Sequence, residues 1–467
     1  MQNRLTDISE GNLHFMQPSL ISLPIVTYNF TMPDITPIGT TNFRNESIPF
    51  GIKDEDRLNH IYVIGKTGTG KSTLLLSMAI SDIQRGNGIA VIDPHGDLAE
   101  KLLDYVPKER INDVIYFNPA DENHVIAFNP LHDIPEGKEH LVVAGLIATF
   151  KKIWMDSWGP RLEYILRYAL MTLCTYPHAT LLDIQPLLTN YLFRAKVLSY
   201  CTDQYLLAFW YNEFDKYTPQ LRAEAISPVL NKTGLFTAIS QLRNVIGQTT
   251  ESFQIQEVMD RGKILICNLS KGKLGEDAST IVGSVIVNAI QLASLNRASL
   301  EEQNRKPFYL YVDEMHSFIS LSLADILAEA RKYKLSLFLA HQYIEQIHEK
   351  IRFAIFGNVG TMIIFRVGAE DAKYLAQEVD PPFCEEDLIN LPRYSMYLKL
   401  MIDGVTSKPF SANANPLTLQ RFTFRAQIIQ HSREQFGRLK DEVEQEISDR
   451  YTNMKKNFTS DQHSLFE

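Results

Sequence analysis

The chain has 467 residues, of which 45% are hydrophobic and 22% charged. That is a globular composition with room for two or three domains, which excludes a disordered or fibrous chain. The formal net charge of -9 excludes a surface that grips nucleic acid all over and confines any such contact to local basic groups. Cys174, Cys201, Cys267 and Cys384 lie far apart, which leaves no zinc spacing or redox pair and fits a reducing cytosol.

Residues 1–50 read as an N-terminal extension rich in Pro, Thr and Asn, with a short strand at Val26–Phe30 and loop elsewhere. The start has no apolar core of the kind a signal peptide needs. No stretch is read as approaching the roughly 20 apolar residues that span a bilayer, the longest being Leu141 to Phe150. The expectation is a cytoplasmic protein without an intrinsic membrane segment, whose association with a membrane would come through a partner.

Regular organisation begins near Asp56. Ile61-Tyr62-Val63-Ile64 is a strand, a glycine loop follows, and Ser72 to Ile83 has helical spacing. Ile89–Ile92 is a second buried strand, ending at Asp93-Pro94-His95-Gly96-Asp97, and Val114–Phe117 a third. From Lys138 to Leu242 helical periodicity dominates. Here Trp154, Trp158 and Trp210 fall, and the aromatics from Phe209 to Tyr217 read as helical core. Strands return at Ile264–Cys267, Phe308–Val312, Leu335–Leu339 and Met362–Phe365. A hairpin at 394–412 and a charged surface helix from Ala426 to Lys455 close the chain.

Strands alternating with helices predict an α/β fold with a mostly parallel central sheet, interrupted by an all-α subdomain. The boundaries are 51–137 and 256–415 for the α/β domain, 138–255 for the helical insertion, and 416–467 for the C-terminal helix and tail.

Gly65-Lys66-Thr67-Gly68-Thr69-Gly70-Lys71-Ser72 matches G-x-x-x-x-G-K-[ST] between a strand and a helix, the context that gives this pattern its meaning. Glycines let successive N–H groups turn inward on phosphate oxygens, and the helix adds its positive end. Lys71 then bridges the β- and γ-phosphates of ATP, Ser72 places its hydroxyl on Mg²⁺, and Thr73 completes the nucleotide-binding run. Asp313-Glu314, at the end of an apolar strand, supplies the carboxylates. Asp313 serves Mg²⁺ through its water shell, and Glu314 activates the attacking water. Asp93 competes for the first role and is read as supporting the loop around the site. Gln342, ending the Leu335 strand, suits a γ-phosphate sensor. Arg331, on a helix from Leu323 to Lys332, is a candidate arginine finger for a neighbouring subunit.

This order of motifs, with Asn268-Leu269-Ser270-Lys271-Gly272-Lys273-Leu274-Gly275 between the helical block and Asp313-Glu314, resembles the type IV secretion coupling ATPases of the TraG/TrwB kind, within the HerA/FtsK superfamily. The resemblance covers roughly residues 50–415. It implies a RecA-like P-loop motor assembled as a homo-hexamer around DNA, with ATP between subunits and Lys71, Ser72, Asp313, Glu314 and Gln342 as ATPase residues. It also places Arg331 toward the neighbour's nucleotide, with Arg57 as a second candidate, and makes the helical insertion the all-α domain that recognises the DNA–protein substrate. Coupling proteins of this type usually carry an N-terminal membrane anchor, which the sequence does not show, so a soluble plasmid, phage or integrative-element member, or one tethered by a partner, is expected. DNA would meet pore-loop groups such as Lys271 and Lys273, or Lys332 and Lys334.

The expected function is an ATP-hydrolysing DNA translocase in conjugative transfer or related processing, with a relaxase or secretion-channel partner. Two alternatives remain open on the sequence: a HerA-like motor partnered with a nuclease, and an ATP-gated scaffold that binds protein cargo.

Overall fold

Short apolar runs recur along the chain, and backbone pairing gathers them into one 11-stranded sheet. In the computed structural model, residues 34–42, 47–321, 326–379, 382–415 and 419–464 are described, with side chains to 453. The strand expected at Val26–Phe30 lies outside them. The strands are β1 (Ile35–Thr41), β2 (Pro49–Lys53), β3 (Ile61–Ile64), β4 (Gly88–Asp93), β5 (Val114–Phe117), β6 (His124–Ile126), β7 (Ile264–Asn268), β8 (Phe308–Val312), β9 (Leu335–His341), β10 (Thr361–Ile364), β11 (Ser395–Lys399), β12 (Met401–Ile402), β13 (Val405–Thr406), β14 (Phe410–Ala414) and β15 (Gly437–Leu439).

The sheet order is β2-β1-β14-β11-β10-β3-β9-β8-β4-β7-β5. From β10 to β5 the strands run parallel. From β11 to β2 they run antiparallel. The parallel strands are buried along their whole length, as a sheet covered on both faces requires. Alternate residues serve two cores. Tyr62, Ile64, Ala90 and Ile92 face one, with the helical block; Ile61, Val63, Ile89 and Val91 face the other, with helix α1 (Lys71–Gln84). The fold is thus α/β with a mostly parallel sheet.

Helices dominate from Glu139 to Ile246, beginning with α2 (Glu139–Ile153) and α3 (Pro160–Cys174). Phe209, Trp210 and Phe214 are buried there, and the Trp210 indole donates to Thr172 Oγ1 at 2.8 Å. Helix α4 (Glu276–Asn296) packs on α2. The run Glu276–Ser299 is long and apolar enough by composition to cross a membrane, contrary to the reading that no stretch qualifies. Of its most apolar 18-residue window 72% is buried inside the fold, because it covers the first core; hydrophobic on all sides is what such a helix needs.

Three local expectations are corrected. The loop reading of residues 1–50 gives way to β1 and part of β2, whose order comes from backbone pairing with β14 and not from an apolar run. The single helix from Ala426 to Lys455 is two, α5 (Arg425–Phe436) and α6 (Lys440–Ser464). Gly437 turns extended between them, and β15 pairs with β6. Ion pairs Arg425–Asp104, Arg433–Asp121 and Arg450–Asp183 then tie this segment from the sheet edge to the helical block. Finally, Arg331 sits on the 3-10 turn Ala330–Tyr333, ended by Lys334 at φ 57°, and not on an α-helix.

Arg57 is not available to a neighbour. Only 1% exposed, it donates to both Asp82 oxygens (2.7 and 2.8 Å), to Thr36 Oγ1 (2.7 Å) and to the Tyr311 hydroxyl (2.8 Å), with its guanidinium 3.8 Å from the centre of the Tyr309 ring. The pair joins β1, α1 and β8. Removing Arg57 takes from buried Asp82 its two-pronged partner and leaves it to Arg85 (3.0 Å) and Asn87 (3.1 Å), so Arg57→Met should cost about 1–3 kcal/mol of unfolding free energy in denaturant titration. The double variant Arg57→Met/Asp82→Leu should recover much of that loss.

His60 is buried at φ 65°, accepting at Nδ1 from Leu337 N (3.2 Å) and donating at Nε2 to the Leu327 carbonyl (3.0 Å). Burial lowers its pKa to about 4. The unfolded imidazole, near 6.5, takes up a proton that the folded one refuses. Stability is therefore full above pH about 6.5 and falls toward pH 4, by on the order of 3 kcal/mol from this group. His60→Asn, which does not titrate and tolerates this backbone, should flatten part of that slope in midpoints measured at pH 7, 5.5 and 4.

Candidate nucleotide site

The site lies where β3, β9 and β8 end. Ile64 pairs with His341, and Val312 with Leu339, so the loop after β3, Gln342 and Asp313-Glu314 all leave the same sheet edge. In open parallel sheets that edge is the ligand crevice.

Residues 65–70 form the turn into α1. Gly70 has φ 134°, and a Cβ there would stand 2.9 Å from the Phe365 ring and 3.1 Å from that of Tyr394. Both backbone freedom and space demand glycine. Neighbouring chain holds the loop: Lys66 N donates to the Arg366 carbonyl (2.8 Å), Tyr394 N to the Thr69 carbonyl (2.8 Å), and Thr69 Oγ1 to the Lys66 carbonyl (2.7 Å). Lys71, buried at the start of α1, donates to the carbonyls of Gly65 (2.5 Å) and Lys66 (3.2 Å). Burial lowers its pKa, while Glu314 and Asp313 act against that.

Ser72 Oγ donates to Asp313 Oδ2 at 3.3 Å. Asp313 is buried, and its pKa is raised to about 6 by burial first, then by Glu314 and Asp93. Three carboxylates close together with Lys71 leave excess negative charge, which a divalent cation would offset. Among the described residues no group of three or more His, Cys, Asp or Glu converges as a metal cage. A hydroxyl and one carboxylate beside phosphate suit Mg²⁺, which keeps its waters and needs no such cage. Asp93 differs, since its oxygens accept from His95 N (2.8 Å) and Ala99 N (2.9 Å). They hold the turn that opens the next helix.

Glu314 is 6% exposed and sits in the left-handed region at φ 46°, a strain of about 1–2 kcal/mol for a residue with a Cβ. Its Oε1 accepts from Gln342 Nε2, and Gln342 Oε1 accepts from Thr67 Oγ1 at 2.8 Å. The structure thus brings Thr67, Gly68, Gly70, Lys71, Ser72, Thr73, Asp313, Glu314 and Gln342 to one cleft. His95, Arg393 and Tyr394 also line it, and the sequence reading missed them. Tyr394, at φ 67°, carries the Arg393 guanidinium 4.7 Å from its ring centre. The pair comes from a loop more than 300 positions downstream, and only pairing of β11 with β10 brings it here.

Arg331 does not join this cleft. It is exposed before the start of β9, with Nη1 donating to Asn59 Oδ1 at 2.8 Å, and the seven residues of β9 put roughly 20 Å of strand between it and Gln342. Lys271 and Lys273 occupy a short turn after β7. Lys271 is engaged with Ser317 Oγ (3.1 Å) and Glu276 (3.2 Å), while Lys273, 58% exposed, lies 3.8 Å from Glu100.

Residues 44–391 match the model of the family described as type IV secretion-system coupling protein DNA-binding domain. No curated protein matches the sequence. Among solved structures, the chain is similar to the bacterial conjugative coupling protein TrwBdeltaN70 (16% identity, TM-score 0.60, covering 83% of this chain and 91% of that one). It is also similar to plasmid coupling protein TrwB in complex with ADP and Mg²⁺ (16%, 0.59, 81% and 89%). A third is VirB4 of Thermoanaerobacter pseudethanolicus (15%, 0.52, 82% and 96%). At these identities the likeness is one of fold.

Gly70→Ala should leave the sheet intact yet weaken binding of a fluorescent ATP analogue by about tenfold or more, through the strain and the displaced rings. Unchanged affinity would remove the loop from the site.

Proposed function

The chain belongs to the type IV secretion-system coupling protein DNA-binding domain family, and from that premise we propose that it is an ATP-hydrolysing, DNA-translocating coupling protein. The observation that carries the reading is the joined set of polar contacts at one sheet edge: Ser72 to Asp313 behind the phosphate loop, and Thr67 to Gln342 to Glu314 across its mouth. A domain that only stored nucleotide would have no use for the second carboxylate and its amide.

In this reading the N–H groups of residues 66–72 and Lys71 hold the phosphates, and Ser72 with Asp313 holds Mg²⁺. Once bound, Mg²⁺ would neutralise charge on the phosphates. Glu314 takes the proton of the attacking water, and Gln342 fixes both that carboxylate and the water. ATP lies between subunits of a homo-hexamer. Arg331 supports this by being exposed, pre-aimed by Asn59 and far from its own cleft. Lys273 is the better placed DNA contact of the loop pair, because Lys271 is held inside. The proposed domains are 51–137 with 256–415 as motor and 138–255 as the helical domain that meets substrate, with a relaxase or secretion channel as partner.

Glu314→Gln should lower turnover by on the order of 10²–10⁴ while nucleotide affinity stays within a few-fold. DNA should raise the parent's ATPase rate, less so as salt increases; a rate indifferent to single- and double-stranded DNA would count against translocation. Arg331→Ala and Lys71→Ala should each be inactive, yet a mixture should regain turnover, since a Lys71→Ala subunit still lends Arg331 to an intact neighbouring site. A mixture as dead as its components would put Arg331 out of the role.

A further inference from the structure

Beyond the cleft, the water-activating carboxylate continues into a line of side chains that the proposed mechanism does not use. Glu314 Oε2 is buried with no hydrogen-bond partner among the described residues, and so is His316 Nδ1. The two face each other at 3.5 Å. On the far side of the ring, His316 Nε2 lies 3.5 Å from Ser317 Oγ, and Ser317 Oγ accepts from Lys271 Nζ at 3.1 Å. Lys271 in turn is paired with Glu276 at the start of α4.

The chemistry of the groups orients this line. An ammonium only donates, so the Lys271 contact occupies a lone pair of Ser317 and leaves its proton for His316 Nε2. A ring that accepts at Nε2 carries its own proton on Nδ1, aimed at Glu314. Gln342 Nε2 already donates to the other oxygen. The carboxylate is therefore clamped between an amide from β9 and an imidazole answering to the loop after β7. Burial first, and then the charge of Lys271 and Lys152, act to keep the imidazole neutral, with Glu314 opposing them. Lys152 comes from α2, and its own ammonium has no hydrogen-bond partner among the described residues.

We propose that His316 is a positioning residue for Glu314, held through Ser317 by Lys271, so that the turn Ser270–Gly275 sets the rate of the chemical step. This rests on the reading of Glu314 as the water-activating group. A turn that a translocated strand could displace would then be wired to hydrolysis through three side chains, with no domain movement required.

The test is steady-state ATPase of the full chain without DNA, alongside nucleotide affinity. His316→Ala should lower kcat by about tenfold or more, the size of effect that a misplaced catalytic group produces, with KM and nucleotide affinity within about twofold. His316→Gln, whose amide can donate to Glu314, should recover most of the loss. Ser317→Ala and Lys271→Met should each lower kcat, and adding either to His316→Ala should cost nothing further, because the three act as one unit. Parental kcat in His316→Ala, or losses that multiply, would overturn the proposal. If His316→Ala does not fold, parental kcat in both Ser317→Ala and Lys271→Met overturns it. Glu314→Gln separates the two levels: full turnover there removes the role of Glu314 itself, whereas a dead Glu314→Gln beside an unaffected His316→Ala removes only the positioning.

Discussion

Everything at the candidate site depends on the register of three parallel strands. With Ile64 beside His341 and Val312 beside Leu339, the glycine loop, Gln342 and Asp313-Glu314 emerge at one level of the sheet. A slip of one residue would turn Asp313 and Glu314 onto opposite faces and move every apolar side chain of β8 into the wrong core. Burial on both faces makes that slip costly, since both alternate sets, Leu310 with Val312 and Tyr309 with Tyr311, are packed. The apolar cores therefore do more than stabilise. They fix the distances over which a hydroxyl and two carboxylates meet.

The second core contains a feature that apolar packing alone would not require. Arg57, Asp82 and Tyr311 form a buried polar cluster that joins the antiparallel margin, through Thr36, to α1 and β8. Such a pair contributes little net stability against an apolar substitute but penalises any arrangement that separates its members. Here it links the far end of the helix that begins at Lys71 to the strand that ends at Val312, next to Asp313. Both elements of the Ser72–Asp313 contact are thereby held at a second point.

Legibility in the sequence followed local pattern. The parallel strands were readable because they are continuous apolar runs bounded by glycine and charge, and the loop Gly65–Ser72 because its residues act through their own backbone. What depended on distant pairing was not. β1 and β15 have weak apolar character and exist because a partner strand offers hydrogen bonds. Arg393 and Tyr394 reach the cleft only through the antiparallel return of β11. His316 looked like any residue after a strand, since nothing in its neighbours announces that Lys271, 45 positions earlier, stands behind it. Arg57 misled for the opposite reason. An arginine ahead of a strand usually faces solvent, and its burial follows from Asp82, which belongs to another element.

These contacts give β9 a particular place in the proposed motor. Its carboxyl end delivers Gln342 to the clamp on Glu314, and its amino end follows the turn that carries Arg331. Paired with β8 over Leu335–Leu339 and with β3 over Phe338–His341, this central strand cannot stretch or bend locally without breaking ladder bonds. Displacement of Arg331 by a neighbour's nucleotide would therefore be carried to Gln342 by the strand as a body. Glu314 would receive two signals through different atoms, one on Oε1 from the adjoining subunit by way of β9, and one on Oε2 from the turn after β7 by way of His316. In the proposed motor, hydrolysis that waits on both would couple each chemical step to the state of the ring and to the nucleic acid within it. A carboxylate held in a left-handed backbone position is suited to that control, because either donor alone leaves one of its oxygens free.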